Sequence, residues 1–300
     1  MSINLNKTNK KNLVIVRSGK DSLHSNWLNQ PYCERLFDTI ISFYDKDTYK
    51  EFKPIDGVNA ILQTEGGKWD NIHHIISTSQ MNKYNHIWFP DDDILIDGNA
   101  VNQMFEIANE YDLRVCQPAL TPDSYFSFLE LISVRSFKLR YTAFIEVMAP
   151  CIHIDVISEI YDLFIQSPSG FGLDMIWGRL KSSGMYNSAV LDCISMRHTR
   201  PVGSVLAKTL KQKGGSRKND YNVVNNFINY KRVKKLNYAA VLHNDKLIKG
   251  KFRISLICAK SWYQDRQEFK GNRNFNTWIL RIIKRHIIYG LRMDTLIRKK

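Results

Sequence analysis

Short apolar runs and helix-spaced segments alternate along the N-terminal two thirds of the chain. NLVIVRS (12–18) is rich in β-branched residues and reads as a buried strand, followed by the polar, glycine-containing loop GKDSLHSNWL. FDTIISFY (37–44) and VNAILQTEGG (58–67) read as a second and a third strand. WDNIHHIISTSQM places Ile72, Ile75 and Ile76 on one face at helical spacing. HIWF (86–89) reads as a fourth strand, a helix is expected around Ala100 to Tyr111, and LRVCQPAL (113–120) reads as a fifth strand. Strands alternating with helices in this way predict an α/β fold, a mostly parallel sheet with helices on both faces.

Beyond Tyr141 the expectations continue in the same style. YTAFIEVMAPCIHIDV (141–156) reads as a strand with Glu146 and Pro150 near its end. QSPSGFGLDMIWGRL (166–180) reads as a loop entering a helix, and SAVLDCISMRHTRPVGS (188–204) as a strand leading into a histidine-containing turn. KTLKQKGGSRKND (208–220) reads as a flexible basic loop, and the rest as a basic, mostly helical tail.

Charge divides the chain in two. Residues 1–203 hold 19 Lys/Arg against 24 Asp/Glu, whereas residues 204–300 hold 24 against 5, so the net +14 belongs to the C-terminal third. The division predicts a catalytic or binding domain over 1–203 and a basic extension over 204–300, and a basic extension seeks phosphate groups on lipid or nucleic acid. No apolar stretch is long enough to span a membrane. The start MSINLNKTNKKN is polar and unlike a signal peptide. The five cysteines are scattered, without a C-x-x-C pair, as expected of reduced core residues in a cytoplasmic protein.

The candidate chemistry begins at FPDDDI (89–94), where three carboxylates follow an apolar strand. Open parallel sheets bind ligands at the carboxyl ends of their strands. In an extended stretch Asp91 and Asp93 point to one side and Asp92 to the other. A hard cation such as Mg²⁺ or Mn²⁺ takes oxygen ligands and bridges carboxylates to substrate phosphates. A solvated acidic turn is the alternative reading of the same residues.

Together with WFPDDDI, the stretches VCQPAL, IEVMAPCI, SGFGLDMIWG and LDCISMRHTRP occur in an order that resembles the domain-of-unknown-function 707 family. The α/β pattern with its Asp-x-Asp also resembles GT-A glycosyltransferases. The resemblance spans roughly Leu13 to Val202 and implies a Rossmann-like GT-A fold. It further implies a nucleoside diphosphate sugar donor, UDP-linked, and a divalent metal held by Asp91, Asp93 and His198. Asp91, Asp92 and Arg200 would lie by the nucleotide, together with Arg17 and Ser18 after the first strand and Gly67, Lys68 and Trp69 at the start of the first long helix. Asp174 in SGFGLD matches the acid that deprotonates an acceptor hydroxyl in inverting enzymes. Where the fuller element has two acids this chain has Leu173-Asp174. Glu146, Gly170 and Gly172 would face the donor or acceptor sugar. Asp70 doubles as a helix N-cap, and His73, His74 and His153 read as structural.

The last segment, RNFNTWILRIIKRHIIYGLRMDTLIRKK (273–300), sets Arg281, Lys284, Arg285 and Arg292 at helical spacing beside bulky apolar residues. Such a helix suits an anionic membrane surface. A helix packed on the domain with its basic face in water fits the pattern as well. The combined expectation is a hexosyltransferase at the inner face of the cytoplasmic membrane, building surface polysaccharide such as O-antigen, lipooligosaccharide or capsule. Two rivals stand beside it: a non-catalytic binder of sugar nucleotide or glycan, and a basic nucleic-acid-binding protein. No helix-turn-helix, RNP-like or zinc-finger pattern accompanies the charge, which argues against nucleic acid.

Overall fold

The run NLVIVRS is buried at every residue except Arg17 and forms β1 (Asn12–Ser18), a central strand. The computed structural model describes residues 9–78, 81–177, 185–201, 217–227, 235–269 and 274–289. In it β1 pairs in parallel with β2 (Phe37–Phe43) on one side and β4 (His86–Trp88) on the other, and β3 (Val58–Leu62) lies outside β2. Strands covered on both faces carry continuous apolar runs rather than alternation. The polar residues inside them need partners: Asp38, buried in β2, accepts from the hydroxyls of Tyr32 at 2.8 Å and Tyr84 at 2.7 Å.

On the other side of β4 lie β8 (Cys151–His153), β6 (Val115–Leu120), β9 (Ser188–His198) and β7 (Phe137–Thr142). The sheet ends with β10 (Asn237–Leu242) and β11 (Leu247–Lys249). β8, β7 and β11 run against their neighbours, and the remaining strands of this path run together, so the expected mostly parallel sheet is present. Among the described residues the helices are α1 (Lys46–Glu51), α2 (Lys68–Thr78), α3 (Gly98–Glu110), α4 (Ile154–Ile160), α5 (Leu163–Gln166), α6 (Arg217–Phe227), α7 (Lys251–Gln264) and α8 (Phe275–Ile288). α1 and α3 begin at Asp45 and Asp97, whose carboxylates accept from the backbone N–H three residues on.

Three expected elements differ. The strand read over 141–156 is divided: β7 stops at Thr142, residues 143–150 are irregular, and β8 passes directly into α4. The irregular stretch has other work for its backbone, since the carbonyls of Pro150 and Met148 accept from the N–H of Phe89 and Asp91, each at 2.9 Å. SGFGLD does not enter an α-helix within the described residues but makes one 3₁₀ turn, Leu173–Met175. Beyond residue 203 the chain is not only helical, because β10 and β11 extend the main sheet through β7. NYAAVL is almost wholly buried there, which its apolar composition favours in a strand packed on both faces. The basic loop read over 208–220 lies mostly outside the described residues, and its end opens α6. All five cysteines are free, but Cys33 and Cys193 are exposed rather than in the core.

The C-terminal helices are fixed to the sheet by buried polar contacts. Arg140 of β7 and Asp192 of β9 form a fully buried ion pair at 3.1 Å, and the guanidinium lies 5.6 Å from the Trp262 ring of α7. Burial pushes the Asp192 carboxyl up to about 7, against the pull of Arg140. His286 of α8 accepts the Asn237 N–H at 2.9 Å through Nε2, while its Nδ1 faces the Ile282 carbonyl at 2.8 Å. That pattern is a neutral imidazole, in line with a pKa lowered by burial.

Candidate active site

The acidic turn leaves β4 and runs directly into β5 (Ile94–Leu95), which pairs with the far end of β9 so that Ile94 faces His198 and Leu95 faces Arg197. This pairing brings together residues more than a hundred positions apart in the chain. Thr199 reinforces it, donating its N–H and its hydroxyl to the Asp93 carbonyl at 3.1 and 2.9 Å. The result is that Asp91, Asp93 and His198 each offer a ligand atom, all within 4.8 Å of one another.

The donor set passes a chemical test for a hard divalent cation. Asp93 Oδ1 is buried with no hydrogen-bond partner, and its Oδ2 lies 3.2 Å from His198 Nε2. His198 Nδ1 is 2.8 Å from the Tyr125 carbonyl, an acceptor only, so Nδ1 carries the proton and Nε2 turns toward the carboxylates. Two carboxylates and an imidazole nitrogen fit Mn²⁺ or Mg²⁺. The Asp93 carboxylate facing Nε2 favours a protonated ring. Burial opposes that, yet the hydrogen bond and charge of Asp93 and the Tyr125 carbonyl outweigh it and raise the His198 pKa.

The middle carboxylate is used differently. Asp92 accepts from Arg200 Nη1 at 3.1 Å and from the Gly19 N–H at 3.2 Å, and its own carbonyl accepts from the Leu23 N–H at 2.7 Å. It therefore ties the turn to the loop after β1. Arg200 is drawn into the same seam, since its other arm donates to the Asp21 carbonyl. Arg197 pairs with Asp123 at 2.8 Å.

Lys68 opens α2 and is directed at the same turn. Its ammonium donates to Asp91 Oδ1 at 2.8 Å and to the carbonyls of Val147 and Met148 at 2.9 and 2.8 Å, so all three of its protons are engaged. The structure makes it a holder of Asp91. Burial lowers its pKa while the neighbouring aspartates counter that. Trp69 is a core residue, stacked on Phe164 at 5.6 Å and tilted against both Phe89 and Trp177 at 5.8 Å. The Gly67 carbonyl accepts from the Asn71 side chain at 2.6 Å. Arg17 donates to Ser42 and to the carbonyls of Gln63 and Glu65, joining the carboxyl ends of β1, β2 and β3, and Ser18 lies 3.3 Å from His24.

Two further carboxyls sit beside the metal-type group. Glu146 lies on the irregular stretch after β7, and its N–H donates to the buried Gln117 side chain of β6 at 3.0 Å. Asp174 is brought to it by Trp177, whose indole N–H donates to the Ile145 carbonyl at 3.0 Å. Burial, then the charge of Asp174, pushes Glu146 up to about 8. Asp174 is pushed up to about 6 by burial, opposed by Lys235 and by backbone N–H groups of its own turn. Burial thus raises both carboxyls, Glu146 further than Asp174, and environments that push two carboxyls apart in this way are those that acid–base sites use. Gly170 and Gly172 have φ of +70° and +105°. A Cβ on Gly170 would stand 2.3 Å from the Trp69 ring, so close packing excludes one there, while Gly172 is favoured by its left-handed backbone and by the 3.1 Å approach of Val224 of α6.

Lys235 is the residue of this pocket that sequence reasoning missed. It ends the run KRVKK, which carries no signal that distinguishes one lysine from surface charge. His73 lies 4.4 Å from the Tyr161 ring, and His153 caps α4, in keeping with structural roles. The side chain of Asp70 is outside the described residues.

Two solved structures align with the chain. GalNAc-T7 with UDP, GalNAc and Mn²⁺ does so at 8% identity over 72% of this chain and 50% of that one, with a TM-score of 0.47. S. aureus TarS 1–349 in complex with UDP-GlcNAc does so at 10% identity over 92% and 80%, with a TM-score of 0.45. The chain therefore spans half the length of the first. No family model and no curated protein matches it.

Proposed function

We propose that the protein is a metal-dependent glycosyltransferase of GT-A type, transferring a hexose from a UDP-linked donor to a glycan hydroxyl with inversion. The observation that carries this reading is the convergence of Asp91, Asp93 and His198 beside Asp174 and Glu146. A bound Mn²⁺ or Mg²⁺ would neutralise the diphosphate leaving group. Asp91, Asp93 and His198 would hold it, with Lys68 keeping Asp91 in place. Asp174 takes the proton of the acceptor hydroxyl as that oxygen bonds to the sugar carbon. The bond from this carbon to the diphosphate breaks, and its electrons leave with the phosphate. Neutral Glu146 donates a hydrogen bond to a sugar hydroxyl. The likeness of motif order to the domain-of-unknown-function 707 family belongs to this reading.

A thermal-shift screen of nucleotide sugars with and without Mn²⁺ tests it. Stabilisation by one UDP-sugar that requires the metal, followed by turnover of that donor, is the expected result. Binding without turnover would leave a sugar-nucleotide-binding protein instead, and no stabilisation by any donor would overturn both.

The setting we propose is bacterial surface polysaccharide synthesis at the inner face of the cytoplasmic membrane. Residues 1–203 would carry catalysis, and 204–300 would contact membrane or acceptor. Among the described residues no helix is long and apolar enough to cross a membrane. α8 nevertheless exposes Leu280, Ile287 and Ile288 at 65%, 58% and 57%, next to exposed Arg281 and Lys284. Apolar and cationic residues on one helix face suit an anionic bilayer surface, where each Lys or Arg contributes about 1 kcal/mol. Co-sedimentation with phosphatidylglycerol vesicles, absent with phosphatidylcholine and weakened by Ile287→Asp, is expected. Equal binding of the Asp variant would remove α8 from the contact.

A further inference from the structure

Lys235 stands two residues before β10, the strand that pairs with β7. The carbonyl of the next residue, Leu236, accepts from the Ala143 N–H at 3.0 Å, at the start of the irregular stretch that carries Glu146. The Lys235 ammonium lies 3.2 Å from the centre of the Phe128 ring and 4.3 Å from that of Phe144. The two rings meet edge to face at 4.9 Å, so they form a fixed cradle for a cation.

Four charged groups face this ammonium. They are Glu130 on the short turn Leu129–Leu131, Arg285 on α8, and the pocket acids Asp174 and Glu146. Arg285 already pairs with Glu130 and also donates to the Lys235 carbonyl at 3.4 Å. Asp174 shares this pocket: Phe144 of the cradle precedes Ile145, whose carbonyl takes the Trp177 indole N–H from the turn that carries Asp174, and the Lys235 charge acts on the Asp174 carboxylate. Burial lowers the Lys235 pKa and the surrounding acids raise it.

We propose that Lys235 is a positioning residue of the Asp174 pocket: held in the Phe128–Phe144 cradle, it supplies the fixed positive charge against which the Asp174 carboxylate works. The inference rests on the reading of Asp174 as the base. It also gives the basic C-terminal segment a part in the site, since that segment delivers the lysine. A general base serves best when it is ionised at the working pH yet still basic, and a nearby cation in a poorly solvated pocket adjusts that balance. An ionised Glu146 would push the Asp174 carboxyl the other way, since a neighbouring like charge disfavours the charged form.

The direct measurement is a ¹³C NMR titration of the Asp174 carboxyl in the full chain labelled at aspartate, assigned by the signal lost in Asp174→Asn. In Lys235→Met the midpoint should rise by about one pH unit, the lower end of what an adjacent opposite charge provides. Lys235→Arg should restore it. The acidic limb of the pH–rate profile for transfer should move in parallel, while Mn²⁺-dependent stabilisation by the donor stays unchanged. An unmoved midpoint in a folded Lys235→Met protein would overturn the proposal. So would a loss of transfer equal at every pH. Where Lys235→Met does not fold, Lys235→Gln keeps a polar head in the cradle and carries the same expectation. A shifted midpoint in a protein that turns over no donor would sink the base reading and leave the Lys235–Asp174 coupling standing.

Discussion

Asp93→Ala is expected to abolish the stabilisation that Mn²⁺ and a UDP-sugar together confer, while changing the metal-free protein little. Asp93 offers the buried, unpartnered Oδ1 and an Oδ2 that faces His198. Its removal leaves one carboxylate and one imidazole, too few to grip a cation that also wants phosphate and water. At a hundredfold excess over Kd a ligand stabilises the folded state by about 2.7 kcal/mol. For a chain of this length that corresponds to roughly 5 °C in Tm, at about 2 °C per kcal/mol. The apoprotein loses a charge from a crowded trio. Burial raises the Asp92 pKa, and Asp93 and Asp91 add to it, so removing Asp93 relieves repulsion. A thermal melt with and without ligand separates the two effects. A variant that retained the full Mn²⁺-dependent increment would remove Asp93 from the metal site.

Asp174→Asn is expected to lower turnover by a factor of roughly 10² to 10⁴, the usual contribution of a general base, with donor and metal binding intact. The pH dependence identifies the base independently. Asp174 acts only when ionised, and its carboxyl is pushed up to about 6, so the wild-type rate should fall about tenfold per pH unit below that point. A limb near pH 8 would instead point to Glu146. Should Asp174→Asn turn over at the wild-type rate, the assignment of the base is wrong.

Much of the sheet was legible because buried parallel strands leave a continuous apolar signature. The expected strand over 12–18 coincides with β1, and 37–44 differs from β2 by a single residue. The misreading over 141–156 arose where apolar composition and local structure part company. Apart from Glu146, residues 143–150 are apolar and nearly all buried, but the Met148 and Pro150 carbonyls serve the acidic turn instead of a strand partner. NYAAVL was read into a helical tail because short apolar runs carry no period that separates strand from helix.

For the site, the sequence by itself offered candidates: the acidic turn after a core strand and, through the resemblance in motif order, a histidine after a late strand and an acid after Gly-Phe-Gly-Leu. Their assembly belongs to tertiary structure. His198 meets Asp93 through the pairing of β5 with the end of β9, and the Trp177 indole on the Ile145 carbonyl ties the turn of Asp174 to the stretch of Glu146. Tertiary structure also decided what each charge does. Lys68, Arg200 and Asp92 read alike as ligands for a nucleotide, and the structure adds that their hydrogen bonds hold the acidic turn in place. Lys235 carried no signal of its own within the basic tail and stands in the pocket. A sequence specifies which groups are present. Which partner each one finds depends on contacts between distant segments, and these exist only once the chain has folded.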